Sequence, residues 1–583
     1  MRKSAFAALL LLAAVPVGAQ TLSDALTFSE NNYYGTARSI GLGNAVTALG
    51  GDLGTIGINP AGSAVAGYSQ FTITPGLSLL GNNAGYSTSD RNDYSNWNTT
   101  DRTKFVMPNI ASSIVFETNQ PNGLKSMTFA FAANTTSQYL NDFTGYGRND
   151  FTSQLGSFAA GAAGYAPYDF ASGYNGHPYG SSYDPYFDST IPWNYIMAYN
   201  SGMMVEAYDE FGNPILDEFG NNTYLGTTEG LSRREDGSYD IRIMGPLDQE
   251  ARVESYGSKT DFIMNMGFNF SDRFYLGFNL GLPFATYNYN EYFREAAVDP
   301  YDFPLEFVDG ETTNFSHASY QYSQTSDISG IYAKVGAIWL PFQNLRLGAA
   351  IQTPTLYTVN DSWCVDGYTN FANLLYNTSE LSPMNDYMYN LSTPWRFNFG
   401  AAWTFGGRGL VSADLDLTDY SSMKFSEYDR YNSNYFDFEN RINRNFAGLE
   451  YYGRFGAEYR VIPEIAVRLG YTFKTSPQYY RFDSYGDRYD ASTYAFYYDE
   501  FESGRNTLVG REAFPDVVRS YSLGFGYSSD GSFFADVAFR LTKYPVAYYN
   551  PYSDYVTGGA DYLPEVSNSR NITDMVFTFG WRF

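Results

Sequence analysis

The chain of 583 residues contains little cysteine, histidine or charge. Its single cysteine is Cys364, and its two histidines are His177 and His317. This inventory excludes a disulfide framework, a Cys/His zinc site and a CxxC redox pair. Charged residues make up 17% of the chain, below the roughly 25% of soluble domains. The net charge of -26 would repel a phosphate backbone. We therefore expect no nucleic-acid partner, no metal and no cofactor.

Long apolar runs are also missing. The longest, residues 5 to 15, is about half the ~20 residues that a spanning helix needs. It follows a basic start and precedes small residues at 17 to 19, which is typical of a secretory signal. We predict that residues 1–19 are a signal peptide, cleaved before Gln20. An exported, acidic chain with one cysteine favours a protein of the bacterial cell envelope.

Aromatic residues are abundant at 19% of the chain, and 55 glycines accompany them. This composition favours strands and tight turns over helices. The alternation is severe, because one parity of a strand is apolar while the other carries Gly, Asn or Thr. The last strand shows it most plainly, with Met575, Phe577, Phe579, Trp581 and Phe583 on one face. Glycine and asparagine suit a wet lumen, with the aromatic face in lipid.

The alternation predicts fourteen strands, an even number as a single-chain outer-membrane barrel requires. Short turns alternate with long loops, and aromatics crowd the short-turn ends, as expected at a membrane interface. A secreted sandwich or propeller is the alternative, but the spacing lacks the 40 to 50-residue repeat of a propeller. We predict an all-β, 14-stranded antiparallel transmembrane barrel of the bacterial outer membrane. Its strands are expected at 69–80, 104–117, 123–135, 258–270, 273–285, 327–341, 344–356, 393–406, 409–420, 448–461, 464–475, 517–528, 532–543 and 571–583.

The predicted organisation has two parts after the signal peptide. Residues 20–68 are rich in Gly and Ala and precede the first strand. A barrel of fourteen strands encloses more space than its wall side chains fill, so this segment could plug the lumen as a hatch. Residues 69–583 form the barrel, with residues 136–257 as a large extracellular loop. That loop holds 17 Asp plus Glu against 5 Lys plus Arg, which places nearly half of the net acidity outside.

Several stretches resemble the FadL/TodX family of outer-membrane transporters of hydrophobic compounds. The hatch motif Asn59, Pro60 and Ala61 is followed closely by the strand 71–75, as in that family. Further similar stretches are residues 334–338, 345–349 with 352–355, 419–422 and 454–459. Asn-Pro-Ala alone is a weak motif, but the combination is specific, and it covers the mature chain apart from enlarged loops.

The resemblance implies a function. It implies capture of an apolar molecule such as a long-chain fatty acid by outer loops, transfer to a lumenal pocket, rearrangement of the hatch, and lateral exit through a gap in the wall. The implied partners are outer-membrane lipid and a hydrophobic ligand, and we expect a monomer. Pro75 and Pro108 lie within neighbouring strands, where each removes a ladder hydrogen bond. They are candidates for the lateral gap, the alternative being two independent bulges.

Charged residues on the lumen parity are expected mainly to pair across strands. Hairpin geometry around Pro463 places Glu458 opposite Arg468. A remaining cation could bind an anionic head group such as a carboxylate. The candidates for that role are Arg346, Arg396 and Arg454. The full set of these charges is Lys334, Arg346, Arg396, Arg454, Arg468, Lys474, Arg540, Asp414, Asp416, Glu450, Glu458 and Asp536.

The large loop contains an apolar patch that either captures a ligand or packs the loop against itself. A repeat of Asp-Glu-Phe-Gly-Asn at 209–213 and 217–221 indicates either two turns of a small hairpin or a calcium loop, although the spacing does not match an EF-hand. The candidate capture residues are Trp193, Tyr195, Ile196, Met197, Met203 and Met204.

Other functions stay open at this stage. A non-transporting surface receptor or a secretion-associated scaffold would use the acidic loops for its contacts. A haemin-receptor-like role would depend on two loop histidines alone for ligation. An enzyme is not expected, because neither histidine has a recognisable nucleophile motif beside it.

Overall fold

The computed structural model describes most of the chain. The described residues are 21–88, 94–172, 180, 182–209, 211–217, 220–233, 239–306, 310–372, 377–429, 434–504, 506–529, 532–553, 555 and 563–583. The predicted signal peptide, His177 and parts of several loops lie outside this set. Among the described residues, no helix combines the length and the hydropathy that crossing a membrane requires.

Fourteen long antiparallel strands form the main sheet, and three of them are interrupted and continue in a second segment. The strands are β1 Gln70–Ser87, β2 Ser95–Glu117, β3 Leu124–Gln138 with Asn141–Asn149, β4 Leu247–Phe270, β5 Phe274–Ala297, β6 Thr312–Phe342, β7 Leu345–Gln352 with Leu356–Phe371, β8 Asn385–Ser392 with Arg396–Phe405, β9 Gly409–Asp419, β10 Leu449–Ile462, β11 Ile465–Thr475, β12 Val517–Ser528, β13 Phe533–Tyr549 and β14 Glu565–Arg582.

The sheet closes on itself. Each strand pairs with its neighbours in chain order, and β1 pairs with β14 as well as with β2. The closing register sets Gln70 opposite Arg582 and Ser87 opposite Glu565. A closed sheet has no edge strand, which is the condition for a β-structure to span a membrane. The prediction of a 14-stranded antiparallel barrel is confirmed.

The two faces of the wall differ as the alternation predicts. On β4, Phe262, Met264 and Met266 are exposed on the outside, while Ile263 and Asn265 between them are buried on the inside. The same alternation continues along β14 to the end of the chain. An outward belt of large apolar side chains is typical of a wall in contact with lipid.

The outer ends of the strands extend beyond the predicted boundaries, whereas the periplasmic ends agree closely. β4 begins at Leu247, ahead of the predicted range 258–270, and β6 begins at Thr312, ahead of the predicted range 327–341. Past the apolar belt both faces are polar or aromatic, so the alternation that marks a strand in lipid fades. The predicted loop 136–257 therefore begins and ends within strands.

Helices lie in the N-terminal segment and in the outer loops. They are α1 Leu22–Ser29, α2 Ala37–Gly41, α3 Gln154–Ala162, α4 Pro185–Asp188, α5 Trp193–Asn200, α6 Asp437–Phe446, α7 Ala491–Phe496 and α8 Tyr498–Glu502, with short 3-10 turns at Leu53–Thr55, Pro60–Val65, Pro167–Asp169, Pro300–Asp302 and Tyr420–Ser422. Short additional strands are Met204–Glu206, Tyr224–Gly226, Glu229–Arg233, Tyr239–Ile243, Pro304–Glu306, Thr378–Leu381, Lys424–Glu427, Tyr479–Asp483, Arg488–Tyr489 and Leu508–Ala513.

Candidate functional site

The N-terminal segment, residues 21–66, packs against the inner face of the wall, and most of its apolar side chains are buried. The backbone N–H of Ala37 donates to Thr578 Oγ1 on β14 (2.7 Å). On β5, Asn279 Nδ2 donates to the carbonyl oxygen of Ile56 (2.8 Å). Because β5 and β14 lie far apart in the ring of strands, the segment occupies the lumen between them.

Inward-facing glycines permit this close contact. A Cβ on Gly277 would stand 2.2 Å from the carbonyl carbon of Pro60, and one on Gly336 would stand 2.0 Å from Asn59 Oδ1. Any side chain at these positions would collide with the segment. The sequence predicts water against such glycines, and at this level of the lumen that expectation is wrong, because the glycines face the backbone of the segment.

The predicted hatch motif anchors the segment to the wall. Asn59 Nδ2 donates to the carbonyl oxygens of Thr47 (2.7 Å) and of Ala337 on β6 (3.1 Å). Its Oδ1 accepts from the backbone N–H of Ala61 (3.1 Å), which caps the 3-10 turn Pro60–Val65. One side chain therefore joins two parts of the segment to the wall.

The three arginines predicted for head-group binding all lie beside the segment. Arg454 on β10 is fully buried and pairs with Asp414 and Asp416 on β9. Arg346 Nη1 donates to the carbonyl oxygen of Leu49 (2.7 Å). The head-group role stays a prediction, and in this arrangement much of their hydrogen-bonding capacity is directed to the protein itself.

Cations also hold the C-terminal end of α1. Arg396 Nη2 donates to the carbonyl oxygen of Ser29, and Lys259 Nζ on β4 donates to that of Phe28 (3.0 Å). Lys474 pairs with the carboxylate of Glu30 (2.8 Å). Positive charge at a helix C-terminus is favourable because the last carbonyls carry partial negative charge. Sequence reasoning missed Lys259, although its inward parity on β4 was a usable signal.

Of the other predicted lumen charges, Glu458, Arg468, Asp536 and Arg540 pair across strands as expected, whereas Lys334 Nζ donates to the carbonyl oxygen of Gly57 in the segment (3.0 Å). Glu458 and Arg468 are register partners, with Arg468 Nε 2.7 Å from Glu458 Oε2. Arg468 also reaches Asp536, and Arg540 Nη2 lies 2.8 Å from Asp574 Oδ2. The geometric prediction for the first pair is confirmed.

A cavity of about 270 Å³ lies at the periplasmic end, beside the β10–β11 turn. Its lining includes Arg38, Asp52, Glu458, Arg468 and Asp536. Placing an apolar solute against these groups would remove water from charges, which is costly. The cavity therefore suits water and ions better than an apolar molecule.

The outer side of α1 contacts an apolar environment instead. Phe28 packs edge to face on Tyr287, with ring centroids 5.7 Å apart. The packed cluster around it is largely aromatic, and we call it the aromatic cluster. Its other buried members include Leu22, Leu26, Tyr139, Ile328, Tyr357, Val359, Tyr389, Leu391, Tyr420, Phe425, Phe436, Phe446 and Tyr494.

The candidate capture residues lie in and after α5. Four of them, Ile196, Met197, Met203 and Met204, are at most 1% exposed, and Trp193 and Tyr195 are half-buried. They form the core of the folded loop together with side chains of β6 and β7. In this arrangement the patch packs the loop, and a capture role would require the loop to open.

The repeated Asp-Glu-Phe-Gly-Asn stretches form two successive turns. Asp209 Oδ1 accepts from the backbone N–H groups of Phe211 (2.9 Å) and Asn213 (2.8 Å), and Asp217 Oδ1 accepts in the same way from Asn221 (2.8 Å). These carboxylate oxygens serve backbone donors, which favours the turn interpretation over a calcium loop.

The two candidate prolines lie where the wall ladders are irregular. The β1–β2 register passes from Thr74 opposite Asn109 directly to Gly76 opposite Val106, so Pro75 and Pro108 share a bulge. The β2–β3 ladder also ends at Asn109. Within the described part of the chain, residues 95–108 of β2 form no ladder with β3. The role of Pro75 and Pro108 in a lateral gap stays a prediction.

The remaining chemical candidates stand apart from one another. His317 lies on the outer part of β6, with its ring 5.9 Å from that of Tyr368. Cys364 is a half-buried free thiol on β7. In the ranges that the structure describes, no cluster of three His, Cys, Asp or Glu side chains could hold a metal ion.

Comparison with known proteins gives structural matches only. No family model and no curated relative matches the chain. Among solved structures, the toluene transporter TodX of P. putida is 11% identical at a TM-score of 0.46 and covers 94% of this chain and 99% of its own. The Ralstonia pickettii toluene transporter TbuX is 12% identical, with a TM-score of 0.42 and coverage of 95% and 99%. A Pseudomonas aeruginosa FadL homologue is 12% identical, with a TM-score of 0.44 and coverage of 95% and 98%. TodX and the FadL homologue carry the family names that the sequence resemblance gives.

Proposed function

We propose that this chain is an outer-membrane channel for the uptake of hydrophobic small molecules, long-chain fatty acids or similar lipid-like solutes. One observation carries the proposal. The lumen is occupied by the N-terminal segment, residues 21–66, while the wall ladder beside it is interrupted from Pro108 outward. A solute that enters from outside meets a filled axis and an incomplete wall, so an exit into the bilayer is the shorter route.

The polarity along the lumen supports an apolar solute. The aromatic cluster on the outer side of α1 would have to part to admit an apolar chain, and burying such a chain there is favoured by about 25 cal/mol per Å². Below the segment, the charged periplasmic cavity opposes its further passage along the axis. A hydrophilic pore would need the reverse arrangement, with a continuous wet path through the barrel.

Movement of the segment is part of the proposal. As a hatch, it would have to release carbonyl oxygens from Lys259, Arg346 and Arg396 before a solute could pass. An acidic head group is a suitable replacement acceptor for these cations, because carboxylates bind guanidinium groups strongly. The head-group prediction for the arginines thereby becomes a step in hatch opening.

A surface receptor or scaffold is the second candidate. The large outer loop folds around its own core of Ile196, Met197, Met203 and Met204, which makes it a preformed surface rather than a loose one. A rigid acidic surface of this kind could bind a basic protein partner. This candidate needs neither an interrupted wall nor a movable segment.

Native mass spectrometry of the barrel purified in detergent tests the two candidates. The channel proposal expects a co-purifying lipid or hydrocarbon that is released when the N-terminal segment is deleted. Matched samples of an unrelated outer-membrane barrel control for bulk lipid. Repeated empty barrels that retain a protein partner would support the scaffold and overturn the channel.

A further inference from the structure

Among the described residues, the outer half of strand β2 forms no ladder with β3 on one side. The β2–β3 ladder runs from Asn109 opposite Asn134 to Glu117 opposite Ser126. Beyond it, toward the outside, residues 101–103 of β2 are exposed on both faces, so the usual alternation of burial is lost. In the described ranges the edge of β2 therefore faces an opening in the wall.

Strand β3 creates this opening by leaving the wall. Its second segment, Asn141–Asn149, pairs with β4 alone. It also lies against β1 and β2, where Asn82 Nδ2 donates to the carbonyl oxygen of Asp142 (2.6 Å) and Asn98 Nδ2 donates to that of Thr144 (3.3 Å). A segment that reaches the inner faces of β1 and β2 has turned into the lumen, which leaves a slot in the wall ladder between β2 and β4 with this segment behind it.

Charged side chains cross this slot. Arg102 Nε on β2 lies 2.6 Å from Asp142 Oδ2, and its Nη2 lies 3.5 Å from Glu254 Oε1 on β4. Arg252 on β4 pairs with both carboxylates, at 3.4 Å and 3.5 Å. Lys104 Nζ donates directly across the slot to the carbonyl oxygen of Gly257 (2.9 Å). We call these side chains the clasp.

The clasp sits at the outer border of the apolar belt. Arg102 is the register partner of Leu80, next to the outward-facing pair of Leu79 and Thr103. Its side chain is 46% exposed and that of Arg252 is 39% exposed, whereas Asp142 is buried. Partly hydrated ion pairs are individually weak and are screened by salt, so they can open where a backbone ladder cannot.

We propose that the clasp is a reversible electrostatic gate on the lateral slot, and that its opening limits the sideways exit of an apolar molecule. The inference rests on the proposed function, because it concerns the exit step of that transport. A wall closed by side chains rather than by a ladder can open without unfolding strands. The five charged groups are then positioning residues, which set the rate of exit and need not contact the solute.

The test combines a charge reversal with its compensation. R102E places a third carboxylate beside Asp142 and Glu254 and should open the slot by repulsion. The double variant R102E/E254R restores an opposite pair across the slot. R148E is the matched control, because Arg148 and Asp150 form an exposed pair at the far end of the second β3 segment, away from the slot.

Two readouts separate the gate from the function. Spin labels at T99C on β2 and Y256C on β4 in a C364S background report the width of the slot, and neither position belongs to the clasp. Uptake of the uncharged fluorophore N-phenyl-1-naphthylamine by intact cells reports transport. We expect R102E to broaden the distribution of label distances, to lengthen its mean and to raise fluorophore uptake about tenfold. R102E/E254R and R148E should give distances and uptake near those of the wild type. Raising the salt from about 0.05 to about 0.5 M should shift the wild type in the same direction.

The outcomes are distinct. An unchanged label distance in folded R102E overturns the gate. A changed distance with unchanged uptake shows that the slot opens but does not limit exit, which overturns the proposal as stated. The label distance could change while cells with the wild-type chain take up no more fluorophore than cells without the chain. That result supports the clasp as a latch and contradicts the transport function.

Discussion

Arg454 and Asp416 form a bidentate salt bridge inside the barrel. Arg454 Nη1 lies 2.8 Å from Asp416 Oδ2, and Nη2 lies 2.7 Å from Asp416 Oδ1. The same guanidinium reaches Asp414, whose Oδ2 accepts from the backbone N–H of Thr47 (2.8 Å). Two wall strands and the N-terminal segment therefore share one buried charge network.

Removing the cation from this network should be costly. R454M leaves two buried carboxylates without their partner, which we expect to reduce the free energy of unfolding by about 3 to 5 kcal/mol. R454K keeps the charge but loses the bidentate geometry, so we expect an intermediate loss of unfolding free energy. Urea unfolding of the barrel in lipid, followed by tryptophan fluorescence, measures both variants.

The control for this prediction is R148A, which removes an exposed pair and should change stability by about 0.5 kcal/mol or less. Adding D414N and D416N to R454M should recover part of the loss, because the uncompensated charges are then gone. Equal stability of R454M and R148A would contradict the structural role given to Arg454.

Glycine at position 336 should be required for docking of the N-terminal segment. G336A places a methyl group 2.0 Å from Asn59 Oδ1, so the segment must move away from β6. We expect faster protease cleavage within residues 21–66 of G336A in the purified, folded barrel. G81A is the matched control, because its nearest neighbour would lie at an ordinary 3.5 Å. Identical cleavage of the two variants would show that the segment does not depend on this contact.

The outer loop should loosen as the pH rises. Burial raises the pKa of Glu229 from its ordinary 4.5 to about 7, against the opposing hydrogen bond from the backbone N–H of Gly226. Between these values the folded loop binds more protons than the unfolded loop, so its stability falls as the pH increases. The loss is complete above pH 7 and amounts to at most about 3 kcal/mol.

Hydrogen exchange of residues 226–233 between pH 5 and pH 8, corrected for the intrinsic rate, measures this effect. E229Q should reduce the pH dependence and make the loop better protected than the wild type at pH 8; the remainder is assigned to Glu295, whose pKa is also raised by burial. E206Q, in the same loop, should retain the wild-type profile. A loop that becomes more protected with rising pH would have the opposite sign and would exclude a buried neutral Glu229.

Truncating a buried candidate capture residue should affect the fold of the loop first. Met197 is fully buried, so M197A should cost about 2 to 5 kcal/mol through the cavity that it leaves. We expect increased exchange throughout α5 as a result. F211A, which removes an exposed ring on a neighbouring turn, should leave exchange unchanged. Unchanged exchange in M197A, together with weaker ligand binding, would instead favour a direct capture role.

The sequence was informative wherever lipid imposes a strict pattern. Alternation such as Phe262, Met264 and Met266 against Asn265 is typical of a strand between lipid and a lumen, and it predicted the number of strands and their periplasmic ends. The pairing of Glu458 with Arg468 followed from the short turn between them, because a tight hairpin sets its own register. These features depend on neighbours in the chain or on contact with lipid.

Other features depend on contacts between distant residues and could not be predicted. The glycines that accept the N-terminal segment look the same in sequence as glycines that face water. The burial of Met203 and Met204 depends on how the loop folds over β6 and β7. Arg102, Asp142 and Glu254 are far apart in the chain and meet only because β3 turns into the lumen after Gln138.

Uptake of a radiolabelled long-chain fatty acid is the most direct test of the account. Cells that produce this chain, and otherwise lack such a transporter, should take up the fatty acid at a saturable initial rate above that of matched cells without the chain. A radiolabelled sugar of similar mass, measured in parallel, should enter both cell types equally. A folded barrel that admits the sugar, or that leaves fatty-acid uptake at the level of cells without it, would contradict the account.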